Sequence, residues 1–196
     1  MDKSNNYYNQ GHNKNMGILH DINIRFLEYV YKKYNLRLYD NAVLDIGCGS
    51  GNMAKKFISK FKPIKYTGID FDNFLLTGDI DLSFIRLNLN QLNEIDNFIN
   101  NHLNQFDNIF LFDVIEHILY FDYLLNNLHK LLKKNGSVFV GLSLDINLST
   151  KIKLFTKGNM FNPFKSIHAH INLFSYKEVQ NELSNINNLK LIEVKR

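Results

Sequence analysis

The sequence predicts an α/β fold, an open and mostly parallel sheet with helices on both faces. Two observations carry that expectation. Short apolar runs of strand length alternate with stretches of helical periodicity from about residue 42 to residue 142, the pattern of strands joined by crossover helices. The first run also leads into glycines at alternate positions, Gly47, Gly49 and Gly51. A residue without Cβ lets the backbone turn sharply there and lie against a ligand.

The elements follow in order. Residues 1–17 are polar and read as a loose arm. Over 18–36, Ile18, Ile22, Ile24, Phe26, Leu27, Val30 and Tyr34 recur at helical spacing and give a broad apolar face. Residues 42–46 form a first strand, and 51–61 a helix with Met53, Phe57 and Phe61 on one face. A second strand spans 66–70. Residues 72–82, broken by Gly78, are too short for a full helix. A third strand over 84–89 precedes an amphipathic stretch over 91–103 carrying Leu92, Ile95, Phe98, Ile99 and His102. The fourth strand covers 109–112. Leucines at 124, 125, 128, 131 and 132 predict a helix over 122–134, with Asp122 as its N-cap and Asn135-Gly136 as its stop. The fifth strand is 138–142. Residues 143–174 lack periodicity, and a connection of that length is expected to be functional or mobile. Ser175 and Glu178 form a capping box for a helix through about 186, and 189–194 reads as a last strand.

At 196 residues, 45% apolar and 21% charged, the chain has ordinary globular composition and reads as one domain over 1–196. Within it, 1–36 is an N-terminal arm and helix, and 143–174 is a lid or acceptor segment. The net charge of +4 comes without a run of Lys and Arg, so nucleic acid is not indicated. One cysteine cannot form an internal disulfide, which fits a reducing cytoplasm. No apolar run is long enough to span a bilayer.

The chemistry concentrates at Val43-Leu44-Asp45-Ile46-Gly47-Cys48-Gly49-Ser50-Gly51. The glycines are spaced G-x-G-x-G, whereas a dinucleotide loop needs G-x-G-x-x-G to seat a helix under a pyrophosphate. Asp45, two residues before Gly47, would repel a pyrophosphate and attract an ammonium group. Asp70 ends the second strand, where a carboxylate can accept both hydroxyls of a ribose, a feature that suits NAD as well.

These segments resemble the class I S-adenosylmethionine (SAM)-dependent methyltransferases. VLDIGCGSG resembles the first motif of that family, YTGIDFD (66–72) the second, and FDNIFLFDVIEHI (106–118) the fourth, in the type 11/23-like branch with a D-V-x-E-H run. LHKLLKKNGSVFVGL (128–142) resembles the helix, turn and strand that follow, and IHAHINLFSYKEV (167–179) the region closing the acceptor pocket. The resemblance implies a Rossmann-like sheet, SAM as cofactor and S-adenosylhomocysteine as product. It implies that Gly47, Gly49, Gly51 and the Cys48 backbone border the methionine end, that Asp45 holds the ammonium directly or through water, and that Asp70 takes the ribose hydroxyls. Phe71 would lie along the adenine, Asn88 and its neighbour Leu89 would meet the adenine amino edge, and Asp113 would border methionine and acceptor. Three departures stand out. Asn88 replaces a usual Asp, the stretch between the second and third strands is short, and one C-terminal strand stands where the family has a strand hairpin.

The transferred methyl sits on an activated sulfonium, so the protein must align the reactants and, for a hydroxyl acceptor, remove a proton. His117, His168 and His170 are the candidate bases. Each also has a plain packing or capping reading. His168 and His170 would share one face of an extended segment; with Asp145 they are too few to assign a metal. Lys151, Lys153, Lys157 and Lys165, interleaved with Phe155, Phe161 and Phe164, make either a solvated loop or a basic lid for an anionic acceptor such as a nucleotide-linked sugar. The expected activity is O-methylation of a sugar-type or other polar metabolite, with isoprenoid quinone precursors next. A non-catalytic SAM-binding module and an RNA methyltransferase are the alternatives.

Overall fold

The computed structural model describes residues 12–36, 39–73, 75, 81–142, 171–172 and 174–194. The elements are α1 (His12–Tyr34), β1 (Ala42–Ile46), α2 (Asn52–Phe61), β2 (Lys65–Asp70), β3 (Ser83–Arg86), α3 (Leu92–Asn101), β4 (Phe106–Phe112), α4 (Phe121–Asn127), β5 (Leu132–Gly141) and α5 (Tyr176–Ser184), with 3-10 turns at Ile115–His117 and Leu128–Lys130. The five-stranded sheet has the order β3-β2-β1-β4-β5, and the pairs β1–β2, β2–β3 and β4–β5 are parallel. Two compact units divide the chain at residue 86.

In the first unit every residue of β1 is buried, as a strand covered on both sides requires. Helix α2 buries Met53, Ala54, Phe57 and Phe61, and the Phe57 ring lies 5.8 Å from that of Tyr66 on β2. Helix α1 buries Ile24, Leu27, Val30 and Tyr31. Lys56 of α2 reaches back to the Gly17 carbonyl and the Asp21 carboxylate, and Lys60 pairs with Glu28. Two expectations change here. The chain is already helical from His12, so the arm is shorter than 1–17. Ile18 and Ile22 are 60% and 53% exposed. Ile22 lies about 200° around the helix from Ile24, so the two cannot share one stripe.

In the second unit α3 buries Ile95, Phe98 and Ile99. The His102 ring stacks on Phe98 and Phe106, its Nδ1 2.8 Å from the Phe98 carbonyl oxygen. The helix expected over 122–134 is instead α4, capped at Tyr120 rather than Asp122, followed by the 3-10 turn. The same leucines are buried by this shorter arrangement, because spacing of three suits a 3-10 turn as well. Asn135-Gly136 is therefore no helix stop. The β4–β5 register jumps from Phe106↔Leu132 to Asn108↔Ser137, so 133–136 bulge out of β5, with Asn135 left-handed at φ 65.

The third strand is shorter than expected, because a turn closed by the Gln91 N–H on the Asn88 carbonyl ends it. The Ser175–Glu178 capping box is present on α5. Residues 189–194 form no strand. Their side chains alternate between half-buried and exposed as a strand's would, but a pattern cannot supply the backbone partner a ladder needs. No helix among the described residues is long and apolar enough to cross a membrane.

A Cβ at Gly136 would stand 2.9 Å from Leu132 Cδ2 and 3.0 Å from the Asp107 and Lys133 carbonyl oxygens, whereas one at Gly17 meets nothing within 4 Å. Gly136→Ala should therefore lose about 1–3 kcal/mol of stability, and Gly17→Ala, inside α1, should gain about 0.5–1 kcal/mol. Urea unfolding of both variants checks the ranking; the opposite order would refute the bulge geometry.

Candidate functional site

The glycine turn in the first unit has the backbone its spacing demands. Gly47, Gly49 and Gly51 lie at φ 72, 50 and 76, a region open to glycine at little cost and to other residues only with strain. The Gly47, Cys48, Gly49 and Gly51 donors of this turn are used within the fold. The Gly47 and Cys48 N–H groups donate to the Ile69 carbonyl at 2.8 and 3.1 Å, and that of Gly51 to the Cys48 carbonyl at 3.0 Å. The Gly49 N–H donates to Asp70 Oδ2 at 2.9 Å. A pyrophosphate needs such donors free, and here they fix the turn to the end of β2. What the turn presents outward is shape, because a Cβ on Gly49 would enter open space.

Asp70 is the hinge of this arrangement. Its second oxygen accepts the Phe71 N–H at 2.8 Å. Partial burial raises the carboxyl above its usual range, against the pull of the Gly49 and Phe71 N–H bonds, and the Asp72 charge adds to the rise. Each oxygen keeps lone-pair capacity for a further donor. Phe71 is 58% exposed. Asp45 is only 3% exposed, and its Oδ2 accepts the Tyr66 hydroxyl at 2.8 Å. Burial pushes its carboxyl up to about 7; the Tyr66 bond opposes this and the Asp70 charge reinforces it. Cys48 is buried and its thiol is pushed up by burial and by the two carboxylates, which suits a packing residue.

Two contributors here escape a reading of the motif alone. Tyr66 orients Asp45. Gly68 makes room for the turn, since a Cβ on it would stand 2.7 Å from Cys48 Sγ. A glycine inside a strand is the signal of such a close approach.

In the second unit Asp113 follows β4 in the left-handed region at φ 55 and donates its N–H to the Gly141 carbonyl at 2.7 Å. Asp enters that region more readily than most side chains, and the bond to Gly141 fixes the backbone there. The 3-10 turn Ile115–His117 comes next, with Glu116 buried and His117 half-buried. The carbonyls of this turn meet residues 171 and 172. The Ile171 and Asn172 N–H groups donate to the Glu116 carbonyl at 2.8 and 3.0 Å. Asn172 Nδ2 donates to the Ile115 and Ile118 carbonyls at 3.0 and 2.7 Å. Asn90 Oδ1 accepts the Leu119 N–H at 2.7 Å. Asn88 Oδ1 accepts the Asn90 N–H at 3.0 Å, so one of its two lone pairs is already used, and Leu89 is buried. Asn90 and Asn172 were not foreseen, because a polar residue in a connection gives no sign of which carbonyl it will meet. His168 and His170 lie outside the described residues, as do residues 143–170 of the expected lid. Among the described residues no group of three or more His, Cys, Asp or Glu could hold a metal.

Residues 44–138 match a family described as a methyltransferase domain. No curated protein matches the sequence. Among solved structures, the chain is similar to the putative methyltransferase of Haloferax volcanii in complex with the Trm112 methyltransferase activator, at 14% identity and TM-score 0.59, over 93% of this chain and 75% of that one. It is similar to a SAM-dependent methyltransferase from Archaeoglobus fulgidus at 15% identity and TM-score 0.55, over 83% and 68% of the two chains. It is also similar to the plantazolicin methyltransferase BpumL, solved with a monoazolic desmethyl plantazolicin analogue and S-adenosylhomocysteine, at 22% identity and TM-score 0.53, over 73% and 54%. At these identities the likeness is one of fold.

Two outcomes follow from the glycine turn and its support. Gly68→Ala should cost about 1–3 kcal/mol by overpacking, and Cys48→Ala in the same chain should recover part of that loss; a double-mutant cycle with simply additive losses would refute the contact. Burial holds the proton on Asp45 in the folded state up to about pH 7, whereas an exposed aspartate loses it near 3.8. The unfolded chain therefore loses this proton first as pH rises, and the folded state becomes less stable between about pH 4 and 7, by up to roughly 4 kcal/mol. Asp45→Asn should remove this slope from stability measured against pH. Parallel curves for the two proteins would show that Asp45 ionises normally.

Proposed function

We propose that the chain is a class I SAM-dependent methyltransferase, a reading supported by the methyltransferase-domain match of residues 44–138 and by the fold, and that it moves a methyl group onto an oxygen of a small polar molecule, a sugar-type acceptor first. The observation that carries this reading is the glycine turn fastened to Asp70 by the Gly49 N–H. The N–H groups of Gly47, Cys48, Gly49 and Gly51 are spent within the fold, its outer face is open at Gly49, and acidic side chains rather than cations flank it. Such a surface suits a cationic nucleoside.

The residues present fit that cofactor. When bound, SAM supplies a methyl group on a sulfonium, already activated for transfer. Asp70 accepts the ribose hydroxyls with its remaining lone pairs. Phe71, exposed beside it, offers a ring for the adenine. Asp45, held by Tyr66, is the group this reading gives to the methionine ammonium, whose positive charge would favour the ionised carboxyl, and Gly47, Cys48, Gly49 and Gly51 would shape the turn there. Asn88, Leu89 and Asp113 stay candidates for the cofactor by the resemblance of their segments. His117 is the base candidate among the described residues for a hydroxyl acceptor, and it would take the proton that the acceptor oxygen gives up. His168 and His170 stay candidates by sequence. The four lysines of 151–165 favour an anionic acceptor, such as a nucleotide-linked sugar.

Calorimetry with SAM and S-adenosylhomocysteine tests the reading. Asp70→Ala should weaken binding by about 1.5–3 kcal/mol, the loss expected for charge-assisted hydrogen bonds, and Gly49→Val should abolish it in a folded chain. Full affinity in both variants would overturn the assignment. Binding without turnover on a panel of hydroxyl-bearing acceptors would leave a cofactor-binding module.

A further inference from the structure

We propose that Asn172 is a positioning residue: it holds the Ile115–His117 turn in shape and so fixes the His117 side chain for its work. The proposal rests on the methyl-transfer reading for the meaning of that work, and on geometry for the clamp. A three-residue 3-10 turn is weak on its own. This one has a His117 N–H bond to the Val114 carbonyl at 2.9 Å and a long one from the Ile118 N–H to the Ile115 carbonyl at 3.4 Å. The carbonyls at the end of such a turn need partners from elsewhere. Asn172 meets three of them. Its side-chain amide bridges the carbonyls of Ile115 and Ile118, and its backbone N–H, with that of Ile171, closes on the carbonyl of Glu116.

The residue type follows from this task. Two donors on one short stem are needed. Asp has the shape without the donors, Ser has one donor, and Gln has both on a longer stem. The clamp is itself held firmly. Two residues on, Phe174 is buried and stands edge-on to Phe121 of α4 at 5.3 Å, and Ser175 caps α5. Asn90 holds the far end of the turn through the Leu119 N–H. The turn is thus stapled between α4 and α5, and the residue staged on it is His117.

The test compares Asn172→Leu, which keeps shape and removes the donors without adding charge, with Asn172→Gln, which keeps both donors, in the full chain. The ring resonances of His117 are followed by NMR through a pH titration, with His102 and His129 as internal references. In Asn172→Leu the His117 midpoint should move by roughly half a pH unit, with the references still, and the Ile171 amide should exchange at least about tenfold faster. Asn172→Gln should restore part of both. Affinity for S-adenosylhomocysteine should change by less than about threefold, because the bonds of Asn172 go to the carbonyls of Ile115, Glu116 and Ile118 and not to the glycine turn or Asp70. An unmoved His117 midpoint beside a faster Ile171 amide would reduce Asn172 to a scaffold residue and overturn the proposal. If the wild-type chain fails to bind S-adenosylhomocysteine, the methyl-transfer reading falls while the His117 comparison still reports on the clamp.

Discussion

One hydrogen bond organises the first unit: the Gly49 N–H on the Asp70 carboxylate. It ties the turn after β1 to the end of β2, and the other features of the turn can be traced to it. The turn must fold inward to reach Asp70, so its glycines adopt left-handed backbone. Folding inward also brings Cys48 down onto β2, so position 68 has no room for a side chain. In the proposed reading the carboxylate that fastens the turn also receives a ligand's hydroxyls, so that architecture and recognition would meet in a single side chain.

Much of this was legible in the sequence, for identifiable reasons. A parallel sheet needs apolar strands separated by helices, and Val43, Leu44 and Ile46 on one side of the glycines and Phe57 and Phe61 on the other announce that plainly. The Ser175–Glu178 box is a local device complete within four residues, so it could be read without knowing the fold. What failed was any inference that depended on a distant partner. The leucines at 124–132 are compatible with a long helix or a short one plus a 3-10 turn. The alternation at 189–194 describes a strand's faces but not its neighbour. Asn172 and Asn90 find their carbonyls only once the chain has closed around them.

The second unit solves a different problem from the first. Its turn after β4 carries polar side chains on a segment too short to hold its own shape, and the fold braces it from both ends with asparagine amides. Asp113, left-handed without being glycine, shows the same economy: a costly conformation is held by the Gly141 carbonyl rather than avoided. The first unit uses glycine to make its turn possible; the second uses asparagine to make its turn stay.

The seat of Cys48 has a practical consequence. It is the chain's one sulfhydryl, covered to 7% exposure and wedged against a strand that has no side chain at the point of contact. An alkylating reagent can reach that sulfur only in the moments when the turn lifts away. The rate of its labelling is therefore a native clock for that motion, readable by mass without adding any probe.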